Sequence, residues 1–251
     1  MRSSKLWSCI AISVLILLGP GRARAQEEED ADPVEQGNAL ADEGNFLAAI
    51  QQFNRAIEQD STDSVAYYNR GRAYHAIGEN ASAIEDYTNA IRLNPADPDA
   101  YNSRGIAYRD EGKPDLAILD YDRTLALDSS RDDACNNRGL AHEDKGEHAL
   151  AMQDYNRALD LNPSFALAFS NRGLVHQAMD EPGLAIMDYD EAIRLDPSMI
   201  PTFFFRAEAH ALIGLDSAAV DDYEHIIANA PAADSLYVGE AKRQIELLKA
   251  K

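Results

Sequence analysis

Glycine recurs at a fixed step of 34 residues, at Gly37, Gly71, Gly105, Gly139 and Gly173, and Ala207 and Ala241 continue the series. A constant period constrains a fold more than any composition does, because each copy must then be one supersecondary unit that buries its apolar side against its neighbours. Two further series keep the same step: Ala49, Ala83, Ala117, Ala151, Ala185 and Ala219, and Phe53, Tyr87, Tyr121, Tyr155, Tyr189 and Tyr223. Counted from Asp30, these are positions eight, twenty and twenty-four of each unit, and no insertion or deletion breaks the phase from there to the last residues.

Positions four, seven, eight and eleven share one side of a helix with 3.6 residues per turn, and twenty, twenty-three, twenty-four and twenty-seven form a similar stripe on a second. Each unit is therefore two amphipathic helices. The small residues at eight and twenty let their backbones approach, and the ring at twenty-four fills the space beside them. Glycine in Ile77-Gly78-Glu79, Glu111-Gly112-Lys113-Pro114 and Lys145-Gly146-Glu147 ends the first helix, with Pro114 tolerated at the start of the next. Asn94-Pro95, Asn162-Pro163 and Asp196-Pro197 end the second, since a residue before proline is pushed out of helical geometry.

Position eleven holds a ring or histidine (Tyr74, Tyr108, His142, His176, His210), and position thirty-two recurs as proline, as at Pro95, Pro163 and Pro197. With the small residues at eight and twenty and the ring at twenty-four, this pattern resembles the tetratricopeptide repeat. The resemblance covers about nine-tenths of the chain. It implies an all-α, right-handed α-solenoid: six helical hairpins over residues 34–233, phased from residue 30, and a C-terminal capping helix over 234–251 whose charged outer side (Lys242, Arg243, Glu246, Lys249) closes the stack. It also implies a concave groove, lined by the first helix of each unit, where peptides bind.

Arginine stands at position seven (Arg70, Arg104, Arg138, Arg172, Arg206), where the family carries leucine. A guanidinium in the middle of a packed side requires a partner. Position twenty-three supplies Asp86, Asp120, Asp154, Asp188 and Asp222, and in the first unit both places change together, to Gln36 and Gln52. The coincidence predicts a structural ion pair in each unit. The alternative is an arginine row that binds anionic ligands.

On the opposite side of the first helices, at positions two, five, nine, twelve and thirteen with six at the edge, Ile106, Leu140 and Leu174 form an aliphatic strip. Beside it run Asn102 and Asn136, then Asn69, Asn137 and Asn171, while Tyr68, Phe204 and Phe205 mark the two ends and Arg72 and Arg109 contribute charge. Carboxamides repeated along a groove can bond the backbone of an extended peptide, and the strip can take its side chains. Two alternatives stay open. The asparagines can bridge neighbouring units or face water, and Phe204 and Phe205 can pack against the terminal helix. The lysines with which some members of the family clamp a C-terminal carboxylate are replaced here, by Val34 and Asp99 in the first frame, so that mode is not expected.

The chain of 251 residues opens with a basic start (Arg2, Lys5), an apolar run from Leu6 to Leu18 and an Ala23-Arg24-Ala25 ending, the layout of a secretory signal peptide over residues 1–25. The run is too short to span a bilayer as a helix of about 20 residues, so an uncleaved anchor is the weaker alternative. Cleavage is expected near Ala25/Gln26, followed by a disordered acidic segment at 26–33 and export to the periplasm or beyond. Loss of Arg2, Lys5, Arg22 and Arg24 takes the formal net charge from −20 to −24, which disfavours nucleic acid and stable membrane insertion and favours basic or neutral protein partners. Cys135 would then have no intramolecular partner, and its place at position four makes it a packing residue. His142, His176 and His210 replace a core tyrosine one unit apart, too distant for one metal ion. No cofactor, metal or catalytic motif is expected. The pattern predicts a non-catalytic binding scaffold in the bacterial cell envelope; the alternatives are a self-associating structural scaffold, homo-oligomeric through the strip or the terminal helix, and, more remotely, a cell-wall enzyme.

Overall fold

The computed structural model describes residues 32–250, so the expected signal peptide and nearly all of the acidic segment lie outside the described residues. In chain order the helices are α1 (Pro33–Asp42) and α2 (Phe46–Gln59), α3 (Ser64–Ala76) and α4 (Asn80–Leu93), α5 (Pro98–Asp110) and α6 (Pro114–Leu127), α7 (Asp132–Asp144) and α8 (His148–Leu161), α9 (Ala166–Ala178) and α10 (Pro182–Leu195), α11 (Ile200–Leu212) and α12 (Asp216–Asn229). A 3₁₀ turn at Ala232–Asp234 leads into α13 (Ser235–Lys249). Among the described residues there is no strand. Each helix packs on the next in sequence, and first helices of adjacent units also touch, so the architecture is an all-α repeat solenoid.

Local chemistry repeats with the unit. Gly44, Gly78, Gly112, Gly146 and Gly214 end the first helices at φ between +69° and +80°, and the N–H of the residue after each glycine reaches back five residues, as in Glu79 N–H to Tyr74 O at 2.9 Å. In the fifth unit Asp180 takes this left-handed place, at φ 61°. Second helices end at Asp60, Asn94, Asp128, Asn162 and Asp196, whose side chains accept an N–H from two residues on, at 2.8–3.3 Å. Asp63 and Asp97 then cap the next first helix.

The core is a row of small clusters along the stack; those of the second to fifth units each hold the fully buried alanine of position twenty and the tyrosine of position twenty-four. A Cβ on Gly37, Gly71, Gly105, Gly139 or Gly173 would lie 2.5–2.9 Å from the ring at position twenty-four, so these glycines are required by close approach. At the end of the stack α13 covers Phe204, Tyr223 and Ile226 with Ala241 and Ile245.

Every expected arginine–aspartate pair forms. In the fourth unit Arg138 Nε donates to Asp154 Oδ2 at 2.9 Å and Nη2 to Oδ1 at 2.5 Å. The other four pairs have the same two-pronged geometry, at 2.6–3.0 Å. The free Nη1 reaches position twenty-five of the preceding unit, namely Asn54, Thr88, Asp122, Asn156 or Asp190, at 2.6–3.0 Å. One guanidinium thus ties its own hairpin shut and joins it to the hairpin before. Four of the five also lie over the ring at position four, 5.4–5.7 Å from its centroid; Arg138 is the exception, because Cys135 stands there.

Candidate functional site

With the position-seven arginines consumed by the stack, the candidate face is the opposite side of the first helices. Ile106, Leu140 and Leu174 at position nine are half-buried rather than a bare strip. Each wedges into the joint with the next unit, Ile106 against Tyr121 and Ala141, Leu140 against Tyr155 and Val175, and Leu174 against Tyr189 and Ala209. Phe205 lies in that last joint as well, its ring 6.3 Å from Tyr189.

The asparagines divide. Asn136 and Asn171 are buried, and Asn171 Nδ2 donates to Asn136 Oδ1 at 2.9 Å across one joint. Asn137 Nδ2 donates to Asn102 Oδ1 at 3.4 Å across the joint before it, and the buried Asn102 donates to Asp133 at 3.2 Å. These four amides bridge neighbouring units. Asn69 instead lines an open cleft. At the ends, Tyr68 is half-buried with its hydroxyl 3.4 Å from Ser103 Oγ, whereas Phe204 is buried against Tyr223 and Tyr237 of the terminal helix.

Charge along this face is tied between units by a step of 35 residues, from position twelve to position thirteen of the next copy. His75 Nε2 lies 2.8 Å from Asp110 Oδ2, and Arg109 Nε donates to Asp144 Oδ2 at 2.7 Å. Arg131 bridges Asp99 and Asp133, and its guanidinium holds the Asp133 carboxyl below the ordinary range. Glu143 accepts from the Tyr155 hydroxyl, and burial pushes its carboxyl upward. Arg72 is exposed, forms no ion pair with any described residue and lies over the Tyr68 ring.

Two clefts open beside Arg72. The first, about 510 Å³, sits between the first two units and is lined by Asn38, Asp42, Asn69 and Arg72 with the rings of Phe46 and Phe53 behind. The second, about 260 Å³, sits at the next joint among Arg72, His75, Tyr87, Ser103 and Ile106. Asn38, Asp42, Phe46, His75 and Ser103 were not expected in a binding role. Their signal is the loss of an aliphatic residue at position nine, which is Asn38 and then Arg72 in the first two units.

The position-eleven histidines lie inside the stack. His142 Nδ1 is 2.7 Å from Glu147 and His176 Nδ1 is 2.8 Å from Glu181, with Asp154 and Asp188 at 3.8 Å from their other nitrogens. His210 has Leu215 in place of that glutamate; its Nδ1 lies 3.3 Å from Asp222 without hydrogen-bond alignment. Cys135 is fully buried, and burial pushes its thiol pKa up, the reverse of what a nucleophile needs.

Paired short helices, left-handed hairpin ends and first helices that line a shared face define a helical-repeat interaction scaffold. The family is set by the repeat itself: models of the TPR repeat match residues 37–78 and 71–110, a model of the tetratricopeptide repeat matches 132–165, and the chain is a tetratricopeptide-repeat protein. Among solved structures, the chain is similar to MamA at 24% identity, over 64% of this chain and 94% of that one, with a TM-score of 0.60. PilW, a type IV pilus biogenesis factor, is 18% identical over 80% of this chain and 93% of its own, with a TM-score of 0.73. YrrB, a TPR protein with an unusual peptide-binding site, is 22% identical over 72% and 94%, with a TM-score of 0.57. At these identities the likeness is one of fold. Comparison with curated proteins found no match.

Proposed function

We propose that the protein is a non-catalytic adaptor that holds a protein or peptide along the first-helix groove, in the bacterial cell envelope after removal of residues 1–25. One observation carries the groove reading. The polar residues that recur in every later unit, the position-seven arginines and position-twenty-three aspartates, are spent on holding the stack together, whereas position nine runs Asn38, Arg72, Ile106, Leu140, Leu174, Glu208 and is free to differ. Ile106, Leu140 and Leu174 wedge into joints, whereas Asn38 and Arg72 line open clefts and are available for a partner. The acidic charge of the chain supports a basic or neutral partner and not nucleic acid, and the layout of residues 1–25 supports export.

The test places a photo-crosslinking side chain at Asn69, Arg72 or Arg109 on the groove and at Leu119 or Gln153 on the second helices. Adducts in envelope fractions from the groove positions alone support the reading; equal adducts from both sets refute it. Amino-terminal sequencing of the protein from those fractions should begin at Gln26, and an intact Met1 would refute processing. Self-association is a second reading, favoured by Leu236 and Leu247, which are 86% and 51% exposed on α13. Sedimentation equilibrium of a Leu236→Glu variant separates the two.

A further inference from the structure

The apolar wedge at position nine divides the first-helix face into two parts. In the third, fourth and fifth units the aliphatic residue at position nine fills the joint to the next unit. In the first two units that residue is polar, and a cleft stands beside it in each joint; the depression of about 390 Å³ at the third joint is lined instead by Arg109, Asp110, Gly112, Pro114 and Asp144, where the arginine is already paired with Asp144. The wall of the first cleft is apolar at the back, with Phe46, Phe53 and small alanines, and carries carboxamides at the rim, Asn38 and Asn69. Arg72 forms the partition between the two. It is the arginine of this face that has no carboxylate among the described residues, since Arg109 is held by Asp144.

An exposed guanidinium in an acidic protein is surrounded by carboxylates that could pair with it, and here they are engaged elsewhere: Asp110 with His75 and Asp144 with Arg109. Asp42 stands on the rim of the first cleft and forms no ion pair with Arg72, and the second cleft has no acidic residue in its lining. Resting on the groove reading above, we infer that the two clefts are the specificity pockets of the groove: the first takes an apolar side chain, and a ligand aspartate or glutamate meets Arg72 at the second. The rim amides offer donors and acceptors to the peptide backbone between them. Neighbouring packed helices lie about 8–10 Å apart, which an extended chain spans in about two or three residues. Because the whole chain carries a net charge of −20, a polyacidic partner is repelled, and an isolated carboxylate within a neutral or basic segment suits both the long-range field and the local cation. At physiological salt the screening length of about 8 Å lets Arg72 govern the contact itself.

The probe is an immobilised array of decapeptides in a glycine–serine background, each with one leucine or phenylalanine and one glutamate, lysine or serine at separations of one to four residues, read with the labelled full chain. Glutamate peptides with an apolar residue two or three places away should be retained at least tenfold more than their lysine counterparts. Arg72→Glu, at an exposed position whose contact is with the face of the Tyr68 ring, should reverse that preference. Asn38→Leu, which gives the first cleft the plug of the later units, should abolish the dependence on the apolar residue and leave the charge preference. Indifference to glutamate against lysine, an unchanged preference in Arg72→Glu, or no retained peptide overturns the inference. A preference that emerges only when Glu27, Glu28, Glu29 and Asp30 are replaced by serine assigns the cleft to the chain's own segment and also overturns it. Groove crosslinks that survive while the array shows no Arg72 dependence would leave the groove reading standing and remove this one alone.

Discussion

Replacing Arg138 by methionine should cost far more than replacing Arg138 and Asp154 together. The single change removes both prongs to Asp154, at 2.9 and 2.5 Å, and the tie to Asp122 at 2.6 Å. Asp154 is 6% exposed, so it has no water to fall back on, and a buried charge deprived of its partner costs about 3–5 kcal/mol. Asp122 is 52% exposed and returns to solvent at a cost within about 1 kcal/mol. The double variant Arg138→Met, Asp154→Leu removes both charges and keeps apolar bulk, which ranges from neutral to stabilising by about 1–4 kcal/mol. His142 loses a carboxylate 3.8 Å from Nε2 in that variant but keeps Glu147 at 2.7 Å. The fourth unit is the cleanest place for the cycle, because Cys135 leaves Arg138 without the ring that the other arginines cover. Urea unfolding of the four cycle members, followed by circular dichroism and checked by amide exchange because repeat arrays can unfold in parts, gives the coupling energy. A coupling of about 3 kcal/mol is expected. Single and double losses equal within about 0.5 kcal/mol would refute the account of the pair.

Gly139→Ala should destabilise the fold by about 1–3 kcal/mol through overpacking, outweighing the helix propensity gained, because the new Cβ would lie 2.7 Å from the Tyr155 ring; unchanged urea midpoints would show that the ring yields freely. Asp180→Gly should stabilise by about 1 kcal/mol, since Asp180 holds the left-handed place that glycine fills in the other units, and a loss in thermal melts would contradict this. Glu208→Gln should gain stability over the wild type as pH rises. Burial, with Glu240 nearby, raises the Glu208 carboxyl above its ordinary range, so the folded state favours the protonated form and the wild type loses stability as pH climbs through and above that range. The gain should vanish in acid, where both side chains are neutral, and a pH-independent difference would count against it. Ile245→Ala should cost about 2–4 kcal/mol, because it opens the cap over Phe204 and Tyr223.

The period made the fold legible. Three residue series in one phase fixed helix number, pairing and termini, because each depends on local spacing and on a neighbour of known sequence. The arginine–aspartate pairs were legible for the same reason, as positions that change together in the first unit. The groove was less so. Whether Asn136 and Asn171 face a ligand or each other depends on a rotation of a few tens of degrees between adjacent first helices, which helical periodicity does not resolve. The structure turns these two amides into the joint. Ile106, Leu140 and Leu174 lie at the same boundary, half in the joint and half on the face. The clefts were hidden because they are defined by what is missing at position nine, and a lost wedge leaves no motif.

The third prong of each arginine makes the first unit distinct in a way that bears on binding. Stability in a repeat array is a sum of unit and joint terms, and every arginine contributes to both. The first unit carries Gln36 and Gln52 where later units carry the pair, and Arg70 of the second unit supplies its tie, through Asn54 at 2.6 Å. Lacking the charged pair, α1 and α2 should exchange their amides fastest among the described hairpins. The larger cleft lies in the joint that holds this unit to the rest, with walls from both sides. A ligand seated there contacts the first unit only while it is docked, so binding and docking stabilise each other by linkage. At ten times its dissociation constant, a peptide should slow exchange in α1 by about tenfold and leave α7 and α9 unchanged. Uniform slowing across all hairpins, or none in α1, would place the ligand elsewhere on the stack.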